Sequence, residues 1–101
     1  MNITFLGLMR RAGALEPGQD RALAAVGNGS AKLIILPKDA PERVKRNAQF
    51  AVEGRKNPKI VSVDWTNAEI SEAIGIGGCT ILAVTDKGFA EAFLKKLGGN
   101  L

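Results

Sequence analysis

The residues best suited to bind an anion lie together near the start of the chain. Arg10 and Arg11 form a basic pair, and a Pro17-Gly18 turn then precedes a polar helix start at Gln19. A glycine directly before a helix lets backbone N–H groups approach a phosphate, and the helix dipole adds partial positive charge at that end. The segment 10–29 therefore predicts a site for an anionic partner.

Residues that could carry out catalysis are few. Asp39, Asp64 and Asp86 each follow a predicted strand, where α/β enzymes keep catalytic carboxylates, but Asp39 and Asp86 also lie where helices need N-caps. The chain has no His, no Tyr and a single Cys, and it contains neither a clustered Cys/His ligand set nor a Walker-type phosphate loop. We therefore expect a non-enzymatic protein without cofactor or metal. A small hydrolase or phosphoryl-transfer domain, using the three aspartates, is an alternative.

The length of the chain and its charge distribution limit the kinds of partner that it can bind. The 101 residues fit one compact domain, residues 1–101. Residues 1–59 hold eleven basic and five acidic side chains, a net charge of +6, whereas residues 60–101 hold three and five, a net charge of −2. One part of the fold should present a positive field to phosphates or another anionic surface, unless the cations only solubilise helix faces. With four Phe, one Trp and no Tyr, base stacking on aromatic platforms is not the expected main mode of recognition.

The compartment is indicated by the cysteine count and the absence of targeting signals. Cys79 is the only cysteine, so an intrachain disulfide is impossible and a reducing setting is expected. The N-terminal segment lacks the features of an export signal, and no apolar run approaches the roughly 18 residues of a membrane span. We expect a soluble, cytoplasmic monomer that does not bind membranes.

Apolar runs predict the strands. A brief strand is expected at residues 14–15, and longer ones at 33–36, 60–63 and 80–84. The run Leu33-Ile34-Ile35-Leu36 is apolar throughout, which is typical of a strand covered on both faces.

Capping residues and glycines predict five helices between these strands. Asn2 and Gly13 bound the first, and Gly18 precedes the second at 19–26. Two capping boxes, Asp39 with Glu42 and Thr66 with Glu69, predict helices ending near Gly54 and Gly75. Asp86 caps the last helix, which is expected to end at Gly98-Gly99. Its inward-facing residues are Phe89, Ala90, Phe93, Leu94 and Leu97. Alternating helices and strands predict a three-layer α-β-α sandwich, with function on loops at one edge of the sheet.

Several short blocks, in order along the chain, carry a family resemblance. They are Leu6-Gly7-Leu8-Met9-Arg10-Arg11-Ala12-Gly13, Pro17-Gly18, Ala31-Lys32-Leu33-Ile34-Ile35-Leu36 with Lys38-Asp39-Ala40, Ala73-Ile74-Gly75, and Leu82-Ala83-Val84-Thr85-Asp86-Lys87-Gly88-Phe89-Ala90. The chain resembles the kink-turn-binding ribosomal-protein superfamily of L-seven-Ae and L-thirty-e, and most closely its small bacterial YlxQ-like branch. The resemblance implies an L-thirty-e-like α/β fold with a small mixed sheet of about four strands.

The resemblance also implies a non-enzymatic RNA-binding protein that recognises sharply bent, kink-turn-like RNA, ribosomal RNA and the ribosome being candidate partners. Three segments, 18–21, 38–40 and 76–79, are implied to converge on the RNA. Basic side chains near these segments would neutralise the RNA phosphates, and Ile76 would face an extruded base. The implied RNA-binding residues are Arg10, Arg11, Gly18, Gln19, Asp20, Arg21, Lys32, Lys38, Asp39, Ala40, Ile76, Gly77, Gly78 and Cys79.

The chain departs from the family pattern at the second helix. Where the family has G-x-N-E-x-x-K, this chain has Asp20 for the asparagine, Arg21 for the glutamate and Ala24 for the lysine. A carboxylate accepts hydrogen bonds from guanine but cannot donate, so the usual guanine-reading set is incomplete. The alternative function is therefore a protein-interaction or scaffold module that kept the fold and lost kink-turn specificity.

Overall fold

Helices and strands alternate along residues 2–97, the part of the chain that the computed structural model describes. The helices are α1 (Thr4–Arg11), α2 (Gln19–Gly27), α3 (Glu42–Val52), α4 (Asn67–Ile74) and α5 (Lys87–Leu97). The strands are β1 (Leu15–Pro17), β2 (Leu33–Leu36), β3 (Lys59–Ser62) and β4 (Leu82–Val84). The strands form one sheet in the order β1-β4-β2-β3.

The sheet is mixed, as the family resemblance implies. β2 and β3 run parallel, with Leu33 opposite Lys59, whereas β4 runs antiparallel to both of its neighbours. In that register Leu82 lies opposite Pro17 on one side and Ile35 on the other. The starting end of β4 is therefore the finishing end of β1 and β2.

Alternate residues of β2 face opposite layers, because successive side chains of a strand point to opposite faces. Leu33 and Ile35 join a core cluster with residues of α1, α4 and α5, while Ile34 and Leu36 join a second cluster with residues of α2 and α3. All four side chains are buried. This confirms the three-layer sandwich and the strand covered on both faces, and each such side chain stabilises the fold by about 1.5–3 kcal/mol.

Most of the predicted helix ends are confirmed. Thr66 and Glu69 form the reciprocal capping box of α4, and Gly75 ends that helix in the left-handed conformation. Asp86 Oδ1 accepts from the backbone N–H of Phe89 at 2.9 Å. Asn2 Oδ1 accepts from the N–H of Thr4 at 3.0 Å, but the N-cap residue of α1 is Ile3 rather than the predicted Asn2.

The predicted capping box at Asp39 and Glu42 is wrong. α3 begins one residue after Pro41, which makes no side-chain cap, so Glu42 is the first helical residue rather than the third. The Asp39 carboxylate turns instead to another loop and accepts from the N–H of Asn67. A local pattern is here overridden by a contact between residues far apart in the sequence.

Smaller differences concern element ends. The last predicted strand begins at Leu82 rather than at residue 80, and β3 is shifted by one residue to Lys59–Ser62. Leu97, predicted to point inward, is 41% exposed because it is the last residue of α5. The predicted Gly98-Gly99 stop lies outside the described residues. Within the described part of the chain, every helix is too short or too polar to cross a bilayer.

Candidate nucleic-acid interface

Sheet topology brings the three predicted segments to the same end of the sheet. β1 leads into Gly18 and β2 leads into the loop 38–40, whereas residues 76–79 precede β4. Because β4 is antiparallel to β1 and β2, the loop before it lies where they finish. We name segments 18–21, 38–40 and 76–79 together the loop end.

Gly18 lies beside the segment 76–79 of the loop end. Its backbone has φ 92° and ψ 155°, a conformation that glycine adopts without a steric penalty. Its N–H donates to the carbonyl of Ile81 at 2.8 Å, and a Cβ added to it would be 4.0 Å from the Gly78 carbonyl oxygen. Gly18 also provides no side-chain cap for α2, so the first-turn N–H groups of that helix have no side-chain partner there.

Two side chains in the first turn of α2 already have partners within the chain. Gln19 Oε1 accepts from Asn47 Nδ2 of α3 at 3.3 Å, which orients the Gln19 amide. The Arg21 guanidinium pairs with Glu16 at 2.9 Å while remaining 62% exposed. Asp20, between them, is exposed.

The segment 38–40 is held by its backbone and by Asp39. The Lys38 N–H donates to the Trp65 carbonyl, and Asp39 Oδ1 accepts from the Asn67 N–H, both at 2.8 Å. Ala40 is buried in the core cluster that it shares with residues of α2 and α3. The Lys38 ammonium stays half exposed, 3.9 Å from Asp64. The loop thus presents one cation on a fixed backbone.

The segment 76–79 is only partly available to a ligand. Gly77 and Gly78 are exposed and Ile76 is half-buried. Cys79 is fully buried, and its thiol donates to the Ile76 carbonyl at 3.1 Å. The Cys79 side chain therefore packs in the core, and only the backbone at this position is left for the predicted contact with RNA.

The basic pair Arg10-Arg11 does not act as a unit. The Arg10 guanidinium donates to the carbonyl of Ile74 at the end of α4 and lies 3.7 Å from a Cβ added to Gly75. Arg11 instead lines a surface depression together with Phe5 and Lys96. The two side chains diverge because consecutive residues of a helix point about 100° apart.

Lys32 is not at the loop end. It precedes β2, and its N–H donates to the carbonyl of Val84 at the finishing end of β4. The structure therefore does not bring Lys32 together with the segments 18–21, 38–40 and 76–79, since a residue before β2 and one after it are separated by the whole strand. Asp86 follows β4 and lies at that same distant end, so it cannot form one site with Asp39 and Asp64. Residues 2–97 contain no cluster of three potential metal ligands.

One carboxylate close to the loop end has a shifted pKa. Hydrogen bonds from the Thr66 backbone N–H and hydroxyl hold the pKa of Glu69 below its ordinary value, with a smaller contribution from the positive charge of Lys38.

Two curated bacterial proteins are similar to this chain over most of its length. "RNA-binding protein YlxQ" of Bacillus subtilis is 31% identical over 95 residues, covering 92% of this chain and 91% of that protein. The chain belongs to the YlxQ family. The YlxQ protein of Enterococcus faecium is 28% identical over 89 residues, covering 88% of this chain and 84% of that protein. No protein-family model matches the chain.

Solved structures share the fold of this YlxQ family member. A Bacillus halodurans protein of unknown function superimposes with a TM-score of 0.85 at 26% identity, covering 95% of each chain. The Giardia lamblia 15.5kD RNA binding protein superimposes with a TM-score of 0.75 at 17% identity, covering 98% of this chain and 86% of that one. The expected family and fold are thus confirmed.

Sequence reasoning missed two residues that organise the loop end. Asn47 orients Gln19, and Glu16 holds Arg21. Asn47 could have been inferred, because it lies one turn from the buried Val44 and the partly buried Ala51 on the α3 face that packs against α2. No sequence signal indicated the pairing of Glu16 across the Pro17-Gly18 turn.

Proposed function

We propose that this chain is a non-enzymatic protein that binds structured RNA at the loop end, with a preference for kink-turn-like bends. The observation that carries the proposal is the apposition of Gly18 and the segment 76–79. A Cβ added to Gly18 would lie 4.0 Å from the Gly78 carbonyl oxygen, and the missing side chain leaves the first turn of α2 open to a phosphate. Two relatives of 31% and 28% identity are named RNA-binding proteins, which supports the same function.

Phosphate contacts would supply most of the affinity. The N–H groups at the start of α2 can bind a backbone phosphate, and the half-exposed ammonium of Lys38 adds a cation nearby. A sharply bent RNA crowds its phosphates, so it gains more from such a cluster than a straight duplex does. Affinity should fall steeply as salt is added, because bound counterions are released on binding.

Base recognition would use the first turn of α2 and Ile76. The Gln19 amide and the Asp20 carboxylate can hydrogen-bond guanine edges, and the Asn47 contact holds the Gln19 amide in one orientation. Ile76 offers a half-buried apolar surface to an extruded base. The pair Gln19 and Asn47 is thus proposed to replace part of the family's guanine-reading set.

Titration with two RNAs of equal length and composition tests the proposal. One RNA contains a kink-turn and the other is a straight duplex, and binding is measured by isothermal titration calorimetry at two salt concentrations. We expect tighter binding of the bent RNA, and equal affinities would contradict the shape preference. No binding of either RNA would contradict RNA binding at the loop end altogether.

A matched pair of variants locates the contact. Gln19→Ala should weaken the bent RNA selectively, by about 1–3 kcal/mol if its amide reads a base. Gln49→Ala removes an exposed amide from α3 and is the control that should leave both affinities unchanged. Equal losses in the two variants would show that the amide at residue 19 has no special role.

A second candidate function is a protein-interaction module. Arg21 pairs with Glu16 within the chain, so the guanidinium that replaces the family's glutamate has a structural partner without RNA. A partner protein that stays bound to the tagged chain after ribonuclease treatment would favour this function. One that is lost with the RNA would contradict it. Crosslinking in cells would then identify the RNA, including ribosomal RNA, and the compartment.

A further inference from the structure

A positively charged cavity lies at the end of the sheet opposite the loop end. It has a volume of about 470 Å³ and is lined by residues from the end of α2, from the segments that precede β2 and β3, and from α5. We propose that this cavity, which we name the basic cleft, binds a nucleotide unit: a phosphate at its cationic rim and a base on its apolar floor. The inference does not depend on RNA binding at the loop end.

Four cations converge on the basic cleft from three separate parts of the chain. Lys32 precedes β2, and Lys87 begins α5. Arg55 and Lys59 lie in the third part, the connection from α3 to the start of β3, where Lys59 is opposite Leu33. Glu91 is the one carboxylate among the lining residues. Four like charges around a single carboxylate repel one another, and a bound phosphate would relieve that repulsion.

None of these four cations forms an ion pair with another described residue. The ion pairs within residues 2–97 join Arg21 to Glu16, Lys38 to Asp64 and Lys45 to Glu42, all of them outside the basic cleft. Cations that are not neutralised by the protein itself are available to an anionic ligand. Lysine and arginine are also the side chains that most often bind phosphate.

The floor of the basic cleft is apolar. Val26, Ala31 and Ala90 are buried beneath it, and Leu94 adds a partly buried side chain from α5. Of these apolar residues Leu94 has the most exposed surface, so a flat base can lie against it, and the amide of Asn57 at the rim can hydrogen-bond the edge of that base. Small-molecule sites typically have volumes of roughly 300–1,000 Å³ and combine an apolar lining with a few polar groups. The cleft therefore suits a small organic ligand such as a nucleotide better than a bare inorganic anion.

The basic cleft and the loop end are distinct sites. β2 separates them, with Lys32 before its first residue and Lys38 after its last. Four residues of strand span roughly 13 Å, which is longer than the Debye length of about 8 Å at physiological salt. Occupancy of one site therefore has little direct electrostatic effect on the other.

Nuclear magnetic resonance titration of the full chain with AMP, adenosine and orthophosphate tests the proposal. We expect AMP to shift the amide signals of residues around the cleft, such as Lys32, Lys59 and Lys87, and to leave those of the loop end unchanged. Adenosine and orthophosphate should each bind at least tenfold more weakly than AMP, because each carries half of the recognised chemistry. Orthophosphate binding as tightly as AMP would overturn the nucleotide assignment, as would the absence of cleft shifts at millimolar AMP.

Variants show whether the cleft itself binds. The double variant Lys32→Gln with Lys59→Gln should weaken AMP roughly tenfold, the loss expected from two partly exposed charge contacts. Lys45→Gln with Lys95→Gln makes the same change in net charge outside the cleft and is the control. Equal weakening in both double variants would overturn the proposal, because it would indicate a nonspecific effect of net charge.

A hexanucleotide of adenosine distinguishes a free nucleotide from a nucleotide within an RNA strand. Binding at least tenfold tighter than AMP, lost in the Lys32→Gln, Lys59→Gln variant, would identify an RNA strand as the occupant. Equal affinities would identify a free nucleotide. Titration of the same double variant with the kink-turn RNA tests whether the two sites are independent. Binding at the loop end should be unchanged by the loss of Lys32 and Lys59.

Discussion

The carboxylate of Asp39 accepts a hydrogen bond from the backbone N–H of Asn67 at 2.8 Å and so joins the loop after β2 to the first residue of α4. Asn67 directly follows Thr66, which caps α4 with its own side chain. Two side chains from different loops therefore bond N–H groups of the same helix start. This double capping fixes the position of the neighbouring Lys38.

Replacement of Asp39 by alanine should destabilise the fold. The Asn67 N–H would lose its partner at the start of α4, and the loss of a cap typically costs about 1 kcal/mol. Asp64→Ala is the matched control, because the Asp64 side chain is fully exposed and lies 3.9 Å from Lys38. We expect it to change the free energy of unfolding by less than about 0.5 kcal/mol. Urea unfolding followed by circular dichroism measures both, and equal effects would contradict the capping role of Asp39.

Replacement of Gly18 by alanine should destabilise the chain by about 1 kcal/mol, because φ is 92° at this position and a Cβ disfavours that conformation. Space is not limiting, since the added Cβ would lie 4.0 Å from the nearest atom. Gly27→Ala, at the end of the same helix and with open space around it, is expected to be neutral or slightly stabilising. A comparison of their thermal unfolding checks this. Equal unfolding temperatures of the two variants would show that a side chain at position 18 does not strain the backbone.

The layers of this fold could be predicted from the sequence because they depend on local patterns. The apolar run 33–36 predicts a strand buried on both faces, and the Thr66 and Glu69 pair predicts the start of α4. The failed capping box at Asp39 has the same sequence pattern. It fails because Pro41 delays the helix and Asn67 offers a better-placed donor, and neither effect can be detected from the residues of the pattern alone.

The composition of the candidate site depended more on strand direction than on residue type. Lys32 and Lys38 both flank β2 and both carry a positive charge, yet they lie at opposite ends of the sheet. The segment 76–79 reaches the loop end only because β4 is antiparallel to β2. The family resemblance implied a mixed sheet, and neither it nor the residues themselves identified the strand that runs in the opposite direction. Burial of Cys79 follows from packing between layers, which no local pattern indicates.

The divergence of Arg10 and Arg11 predicts different effects on stability. Arg10→Ala removes a guanidinium that bonds the Ile74 carbonyl at the end of α4, and we expect a loss of about 1 kcal/mol, at the low end for hydrogen bonds to charged groups because the side chain is partly exposed. Arg11→Ala removes an exposed side chain of the same type and charge from the next position, with an expected change below about 0.5 kcal/mol. Urea unfolding of both variants tests this, and a larger loss for Arg11→Ala would contradict it.

The lowered pKa of Glu69 predicts a pH dependence of stability. Because the Thr66 N–H and hydroxyl bond the ionised carboxylate, its pKa in the folded chain lies below the ordinary value of 4.5. The unfolded chain then binds the proton more readily, so this carboxylate contributes stability above about pH 4.5 that is lost as the pH falls through the folded-state pKa. Thr66→Val removes the hydroxyl and keeps the backbone N–H, which is the larger cause, so it should raise the pKa of Glu69 only part of the way.

Carbon-detected titration of the Glu69 carboxyl group measures that pKa directly in both proteins. Unfolding measured between pH 3 and pH 6, a range of about 1.5 units on either side of 4.5, should then show less acid destabilisation in Glu69→Gln than in the unsubstituted chain. Glu72→Gln removes an exposed carboxylate from the same helix and controls for the change in net charge. An unchanged pKa of Glu69 in Thr66→Val would show that the hydroxyl does not contribute to stabilising the ionised carboxylate.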